Sequence, residues 1–98
     1  MTSISPSLLH AGLEPAQALI YQTLIEEGEL NVSAIQQKTG LSRAGVYGSL
    51  VYLEGKLLVE YRKSGRKAFY KATHPTMLFT LIEEQKRTAA LREKALEE

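Results

Sequence analysis

Residues 32–53 read VSAIQQKTGLSRAGVYGSLVYL, and the spacing inside this stretch decides the fold. Asn31 can cap a short helix over about Val32–Thr39, with Val32, Ile35 and Thr39 on its inner face. Gly40 is comfortable at positive φ, so the chain can turn sharply. Ser42 can cap a second helix over about Arg43–Glu54. Val46, Leu50 and Leu53 are spaced four and three, which makes a buried stripe. Arg43, Ala44, Tyr47, Gly48 and Val51 fall largely on the other side, in a face that reads as small, polar and weakly basic. Ile35 and Val46 would pack across the turn, with Leu41 plugging the angle. The pattern predicts a helix–turn–helix whose second helix projects its first turns outward. A lone helix fits the major groove of B-DNA, and its N-terminus offers amide donors and a partial positive charge to a phosphate. Many helical hairpins share such a pattern, so the flanking segments must sharpen it.

Upstream, Ser5-Pro6 can start a short helix with Leu8 and Leu9 as apolar contacts and Gly12 as its end. A longer helix runs from near Pro15 to about Glu27, where Ala18, Tyr21, Leu24 and Ile25 recur at helical gaps and Gly28 ends it. Downstream, Gly55 ends the second helix of the motif. The period then changes. Leu58–Arg62 and Ala68–Ala72 are rich in β-branched and aromatic residues, and Ser64-Gly65 between them is a turn signal, which predicts a β-hairpin. Pro75 fits the first turn of a last helix that can run to the end of the chain. The expected architecture is mainly α with a small β-hairpin: a winged helix–turn–helix domain over residues 1–74, then a C-terminal dimerisation helix over 75–98.

The formal net charge is +1, from 12 basic and 11 acidic residues, but the charges are segregated. Residues 1–30 hold Glu14, Glu26, Glu27 and Glu29 and no Lys or Arg. Residues 61–74 hold Arg62, Lys63, Arg66, Lys67 and Lys71 and no acid. Such a hairpin is a candidate polyanion contact, or a solvated sheet edge kept soluble by lysine. The chain has one domain's worth of residues, with 44% hydrophobic and 23% charged, which excludes a wholly disordered chain or a collagen. With no Cys, disulfides, thiolate zinc sites and a Cys nucleophile are out. His10 and His74 stand far apart in sequence, and no carboxylate pair suggests acid–base chemistry. No catalytic, metal-binding or cofactor residue is assigned, and no enzyme is expected. No apolar run approaches the ~18 residues of a membrane span, and the N-terminus lacks signal-peptide character, so the expected compartment is cytoplasmic.

Three helices followed by a basic hairpin are the layout of a winged helix, and here the residues resemble a family. Gly12-Leu13, Ala18, Tyr21, Leu24 and Gly28 look like the first helix of TrmB-like transcriptional regulators. The similarity continues through Gly40-Leu41-Ser42-Arg43, Val46-Tyr47, Leu50 and Leu53-Glu54. It resumes at Leu58-Val59-Glu60, Gly65-Arg66, Tyr70-Lys71-Ala72 and Pro75. The resemblance spans roughly residues 8–98 and implies a DNA-binding winged helix followed by a helix that pairs two protomers. Three departures stand out. The family usually has a small residue where Gln36 stands. Leu57 replaces the glycine usually found just before the first wing strand. Long TrmB-like proteins carry a sugar-binding domain after the coil, whereas this chain ends at Glu98, so a sugar-sensing role is not carried over.

The candidate DNA-binding residues are Ser42, Arg43, Ala44 and Tyr47 in the recognition helix and Arg62, Lys63, Arg66 and Lys67 in the wing. Arg43 is placed to contact a base or phosphate, since Arg reads guanine edges bidentately; the bland alternative is a solvated Arg. Tyr47 either meets a phosphate or sugar, or covers the wing's base. Gly45 and Gly48 each cost about 1 kcal/mol inside a helix, which fits close approach to DNA backbone, simple tolerance, or close packing of another protein segment. Arg66 falls at the wing tip and can enter a minor groove, while strand alternation can point Lys71 elsewhere. In the last helix, Leu78, Leu81, Ile82, Ala89 and Leu96 suit pairing with a second copy; the alternative is a helix folded back on its own domain. A helix over 75–98 would be about 36 Å long and outreach a small domain. A two-fold dimer would present two recognition helices to a pseudo-palindromic site.

The reading is sequence-specific binding of double-stranded DNA by a homodimeric transcriptional regulator, with any small-molecule effector unassigned. The rival is a winged helix used for protein–protein assembly in a transcription or chromosome complex, since folds host many functions. An acidic or apolar recognition face would favour that rival.

Overall fold

A computed structural model of the chain describes residues 8, 9, 11–74 and 78–87. The elements run α1 (Pro15–Glu27), β1 (Leu30–Asn31), α2 (Val32–Thr39), α3 (Arg43–Gly55), β2 (Val59–Ser64) and β3 (Lys67–Ala72). Residues 78–87 are helical as well. The strands form one antiparallel sheet in the order β1-β3-β2. This is a mainly α architecture with a winged-helix sheet. Among the described residues no helix is long and apolar enough to cross a membrane.

The helix boundaries follow from local chemistry. Asn31 Oδ1 accepts from the Ala34 N–H at 2.8 Å and starts α2. Gly40 ends α2 in the left-handed region (φ 75°), which costs a residue without Cβ nothing. Thr39 Oγ1 donates to the Ile35 carbonyl at 2.7 Å and accepts from the Leu41 N–H at 3.3 Å, so the turn's polar groups are satisfied from within. Ser42 Oγ accepts from the Gly45 N–H at 3.1 Å and opens α3. These bonds hold the angle between α2 and α3 that residues 31–45 predicted.

The core gathers Ala18, Ile20, Tyr21 and Leu24 of α1, Val32 and Ile35 of α2, and Val46, Leu50 and Leu53 of α3. Leu58, Val59 and Tyr70 of the sheet region close it from below. Leu8, Ala11, Leu13 and Leu81 belong to the same buried cluster. Two apolar expectations are corrected. Ile25 is 53% exposed, and Ile20 of the same helix is buried in its stead. Leu9 is exposed, and Ala11 and Leu13 take the buried places beside Leu8. Periodicity assigns a face to a helix but not how far along it the neighbours reach.

Three features of the sheet were not anticipated. Leu30–Asn31 pair with β3, Leu30 opposite Tyr70 and Asn31 opposite Phe69, so the hairpin is the larger part of a three-stranded sheet. The turn occupies Gly65-Arg66, one residue later than expected, with Ser64 opposite Lys67. Gly65 has φ 62° at the first loop position, as two-residue hairpins of the II′ kind require.

The third concerns Leu57, which has φ 62°, the one non-glycine residue at positive φ among those described. Gly55 does not end α3 alone; it is the last helical residue. The Leu58 N–H donates to the Leu53 carbonyl and the Leu57 N–H to the Glu54 carbonyl, both at 2.9 Å. That pair of bonds is a Schellman motif with Leu57 at the left-handed position where glycine is favoured. Thr73 Oγ1 donates to the Leu57 carbonyl at 2.7 Å, and the Thr73 N–H donates to the Leu58 carbonyl at 2.9 Å. The buried side chains of Leu58 and Val59 that follow hold the cap in place against its strain. A left-handed non-glycine residue costs about 1–2 kcal/mol, and added unfolded-chain freedom returns about 0.5–1 of this when glycine is introduced. Because Leu57 is 61% exposed, little packing is lost with it. Leu57→Gly is therefore expected to raise the melting temperature by a few degrees, at about 4–8 °C per kcal/mol. Leu57→Ala, which keeps the β-carbon, is expected to give no gain. Thermal melts followed by circular dichroism check this, and equal melting points for the Gly and Ala variants refute it.

Candidate nucleic-acid interface

One groove draws on separate parts of the chain. It measures about 320 Å³ and is lined by Asn31, Val32 and Ser33 at the start of α2, Arg43 and Tyr47 on α3, and Arg66, Lys67 and Ala68 at the wing tip. None of these residues is acidic. The turn at Gly40 sets the first turns of α3 beside the hairpin, so three cationic side chains from two elements meet around one opening.

Arg43 is held rather than adrift. Its Nη2 donates to the Tyr47 hydroxyl at 3.3 Å, its Nη1 lies 3.5 Å from Gln36 Oε1, and its guanidinium sits 5.4 Å from the centre of the Tyr47 ring. Tyr47, 41% exposed, lines the groove and props up the arginine. In the sequence Gln36 stands out only as a departure from the small residue usual in the family. Its side chain reaches across the turn to Arg43, a contact seven residues long that no single-helix spacing shows. Asn31, Val32 and Ser33 were also missed as groove residues; the pairing of β1 with β3 brings them there.

The wing's two faces carry different electrostatics. Cross-strand partners share a face, so Val59/Ala72, Tyr61/Tyr70 and Lys63/Ala68 lie on one side and Glu60/Lys71, Arg62/Phe69 and Ser64/Lys67 on the other. The first face turns inward: Val59 and Tyr70 are buried, and the Tyr61 and Tyr70 rings meet edge-on with centroids 5.4 Å apart. Burial, with Glu54, Tyr47 and Tyr61 nearby, raises the Tyr70 hydroxyl above its ordinary pKa. On the outward face Arg62 and Lys71 are neutralised, while Lys67 at the tip lines the groove. Arg62 makes a bidentate pair with Glu29, its Nε donating to Oε2 at 3.0 Å, and lies 5.3 Å from the centre of the Phe69 ring. Lys71 pairs with Glu60 at 3.6 Å. Accepting the Arg62 hydrogen bond lowers the Glu29 carboxyl below its ordinary range, and donating it raises Arg62. The pair's contribution to folding is thus present above the unfolded carboxylate's pKa and fades as pH falls through the lowered folded value.

The candidate residues accordingly divide. Arg43, Tyr47, Arg66 and Lys67 line the groove. Ser42 is the helix cap, and Ala44 is exposed one turn from Tyr47 on the outer side of α3. Lys63 is exposed and shares the inward face with the groove residue Ala68. Arg62 shares the outward face with Lys67 but lies outside the groove lining and is engaged by Glu29. The outer face of α3 exposes Ala44, Gly48 and Val51, the last 72% exposed, beside Arg43 and Tyr47. The two glycines differ. A β-carbon on Gly45 would lie 3.1 Å from Ser42 Oγ, so Gly45 leaves room for the cap hydroxyl. A β-carbon on Gly48 would meet no atom within 4 Å, which removes packing by another described segment as the reason for that glycine.

In the C-terminal helical stretch, Leu81 is buried in the domain's own core and Leu78 and Ile82 are partly buried against it. Ala89 and Leu96 lie outside the described residues.

The fold recurs among regulators. A possible transcriptional regulator from Methanosarcina mazei Go1 superposes with a TM-score of 0.75 at 15% identity, covering 89% of this chain and 78% of its own. The transcriptional repressor BigR from Xylella fastidiosa gives 0.64 at 25% identity over 76% of each chain. NadR, solved in complex with 4-hydroxyphenylacetate, gives 0.66 at 29% identity over 93% of this chain and 72% of its own. No curated protein matches the chain. The family model described as sugar-specific transcriptional regulator TrmB matches residues 8–76. The chain belongs to the TrmB family of transcriptional regulators.

Proposed function

We propose that this chain binds double-stranded DNA sequence-specifically as a homodimer and regulates transcription in the cytoplasm. α3 enters the major groove and the wing tip holds the flanking backbone. The observation that carries this reading is the groove where Arg43, Arg66 and Lys67 converge with no acidic residue in its lining. Phosphate contacts by such side chains give most non-specific affinity, and a helix-borne arginine adds base readout. Lys63 extends the cationic surface along the wing. Arg62 acts on the wing's own shape, through Glu29 and Phe69, rather than on DNA.

Pairing of two copies is assigned to Leu78, Ile82, Ala89 and Leu96. Leu81 anchors that helix to its own domain, so it is an internal residue rather than a contact with the partner. The exposed Val51 and Tyr47 favour a second reading, in which α3 docks on another protein.

Retention of genomic duplex fragments on the immobilised chain, followed by sedimentation of the complex with a retained duplex, separates these readings. Two chains per duplex are expected, with binding that weakens steeply between 50 and 200 mM salt. Removal of residues 88–98, which spares the Leu81 anchor, is expected to yield monomers with much weaker binding. Retention of no fragment overturns the DNA reading, and one chain per duplex overturns the dimer.

A further inference from the structure

The outer face of α3 lies opposite its buried stripe of Val46, Leu50 and Leu53. At 3.6 residues per turn, Ala44, Gly48 and Val51 occupy that outer direction, with Tyr47 on the wing side. Val51 is more exposed than any other large apolar residue described, at 72%. Single exposed apolar residues are common and by themselves mean little. Here the residue continues into the cationic groove through Tyr47, and it neighbours a mid-helix glycine that no internal contact requires. The one carboxylate on α3, Glu54, lies at its far end, near enough to Tyr70 to act on it. The face is therefore apolar in its middle, cationic at its N-terminal side, and suited to an anionic surface carrying apolar groups.

Ala44, Gly48 and Val51 have no side-chain donor or acceptor, so they cannot read the hydrogen-bonding edges of bases. In the major groove the one apolar feature that varies with sequence is the C5 methyl of thymine. From Ala44 to Val51 the helix advances about 10.5 Å, or about three base-pair steps of 3.4 Å. Gly48, without a β-carbon, puts no side chain between Ala44 and Val51 on that face.

Building on the DNA-binding reading above, we propose that the outer face of α3 recognises thymine methyl groups, with Val51 as the specificity-determining residue. Operators of this protein then carry thymines within three base pairs of the base that Arg43 contacts. Methyl burial adds to the discrimination that Arg43 gives, while the wing supplies affinity.

The test starts from a duplex selected from a random pool by the full chain. Each thymine is replaced in turn by deoxyuridine, which removes only the methyl. At one or more positions per half-site the affinity is expected to fall about four-fold, the factor for one methyl-sized group at about 0.8 kcal/mol. Val51→Ala is expected to weaken binding to the thymine duplex by a similar factor and to be indifferent to uracil at that position. Its exposed helical site makes misfolding no concern, and a thermal melt verifies this. Selection of a duplex whose thymines can all become uracil without loss overturns the proposal and leaves DNA binding intact. So does a Val51→Ala variant that keeps the full thymine preference. Failure to select any duplex overturns the DNA-binding reading itself, and the inference with it.

Discussion

Arg43→Ala combined with Arg66→Ala is expected to lower affinity for a selected duplex by about 100-fold or more at physiological salt. Each arginine that reads a base or holds a phosphate contributes about 1–3 kcal/mol, and 1.4 kcal/mol is tenfold. The two losses should be distinguishable in their salt dependence. Each phosphate contact contributes about 0.9 to the slope of log affinity against log salt, so a phosphate-bound Arg66 lowers the slope by about one. An Arg43 that contacts a base leaves the slope nearly unchanged and relaxes preference at one base pair. The informative control is Arg62→Ala. Arg62 belongs to the same hairpin and bears the same charge, yet Glu29 already neutralises it on the outward face. Its removal should change affinity by less than about threefold, with an unaltered slope. If Arg62→Ala weakens binding as much as Arg66→Ala, the Arg62–Glu29 part of the wing contacts DNA and the groove alone is not the interface. Fluorescence anisotropy over a salt series measures these affinities and slopes, and a duplex altered at single base pairs reads the preference.

Ile35→Ala is expected to give the largest change in stability. Ile35 is fully buried where α2 meets the core shared with Val46 and Leu50. Truncating such a side chain costs about 2–5 kcal/mol, from lost transfer energy and the cavity left behind. A small domain has about 5–15 kcal/mol in all, so the variant should unfold at a clearly lower urea concentration and melt at least about 10 °C earlier. Ile35→Val should cost about 0.5–1.5 kcal/mol, and Gln37→Ala, at an exposed position of α2, about 0.5 or less. A urea midpoint for Ile35→Ala within the range of Gln37→Ala would mean that the contact between α2 and the core does not hold the turn.

The wing shows why charge counting and structure disagreed in part. A run of five cations in residues 61–74 reads as one basic patch. A β-strand alternates faces, however, so the run is divided between two surfaces with different neighbours. Glu29 lies 33 residues before Arg62, and only the sheet brings them together. The same distance in sequence hid β1: a strand of two residues has no periodicity to detect, and it exists because Tyr70 and Phe69 present a free edge. Gln36 gained its role through the turn, which carries it alongside Arg43.

What could be read directly was the chemistry that acts within a few residues. Asn31, Gly40 and Ser42 cap and turn the chain through bonds spanning three or four residues, so their types at that spacing suffice to specify α2, the turn and α3. The inner stripe of α3 likewise follows from helical period. Which side chains are spent internally was decided only by the packed molecule: Ile20 in place of Ile25, Leu81 in the core, Arg62 on Glu29, and Leu57 forced left-handed between α3 and β2. Those outcomes depend on partners tens of residues away, whose positions exist only once the helices and sheet have closed on one another.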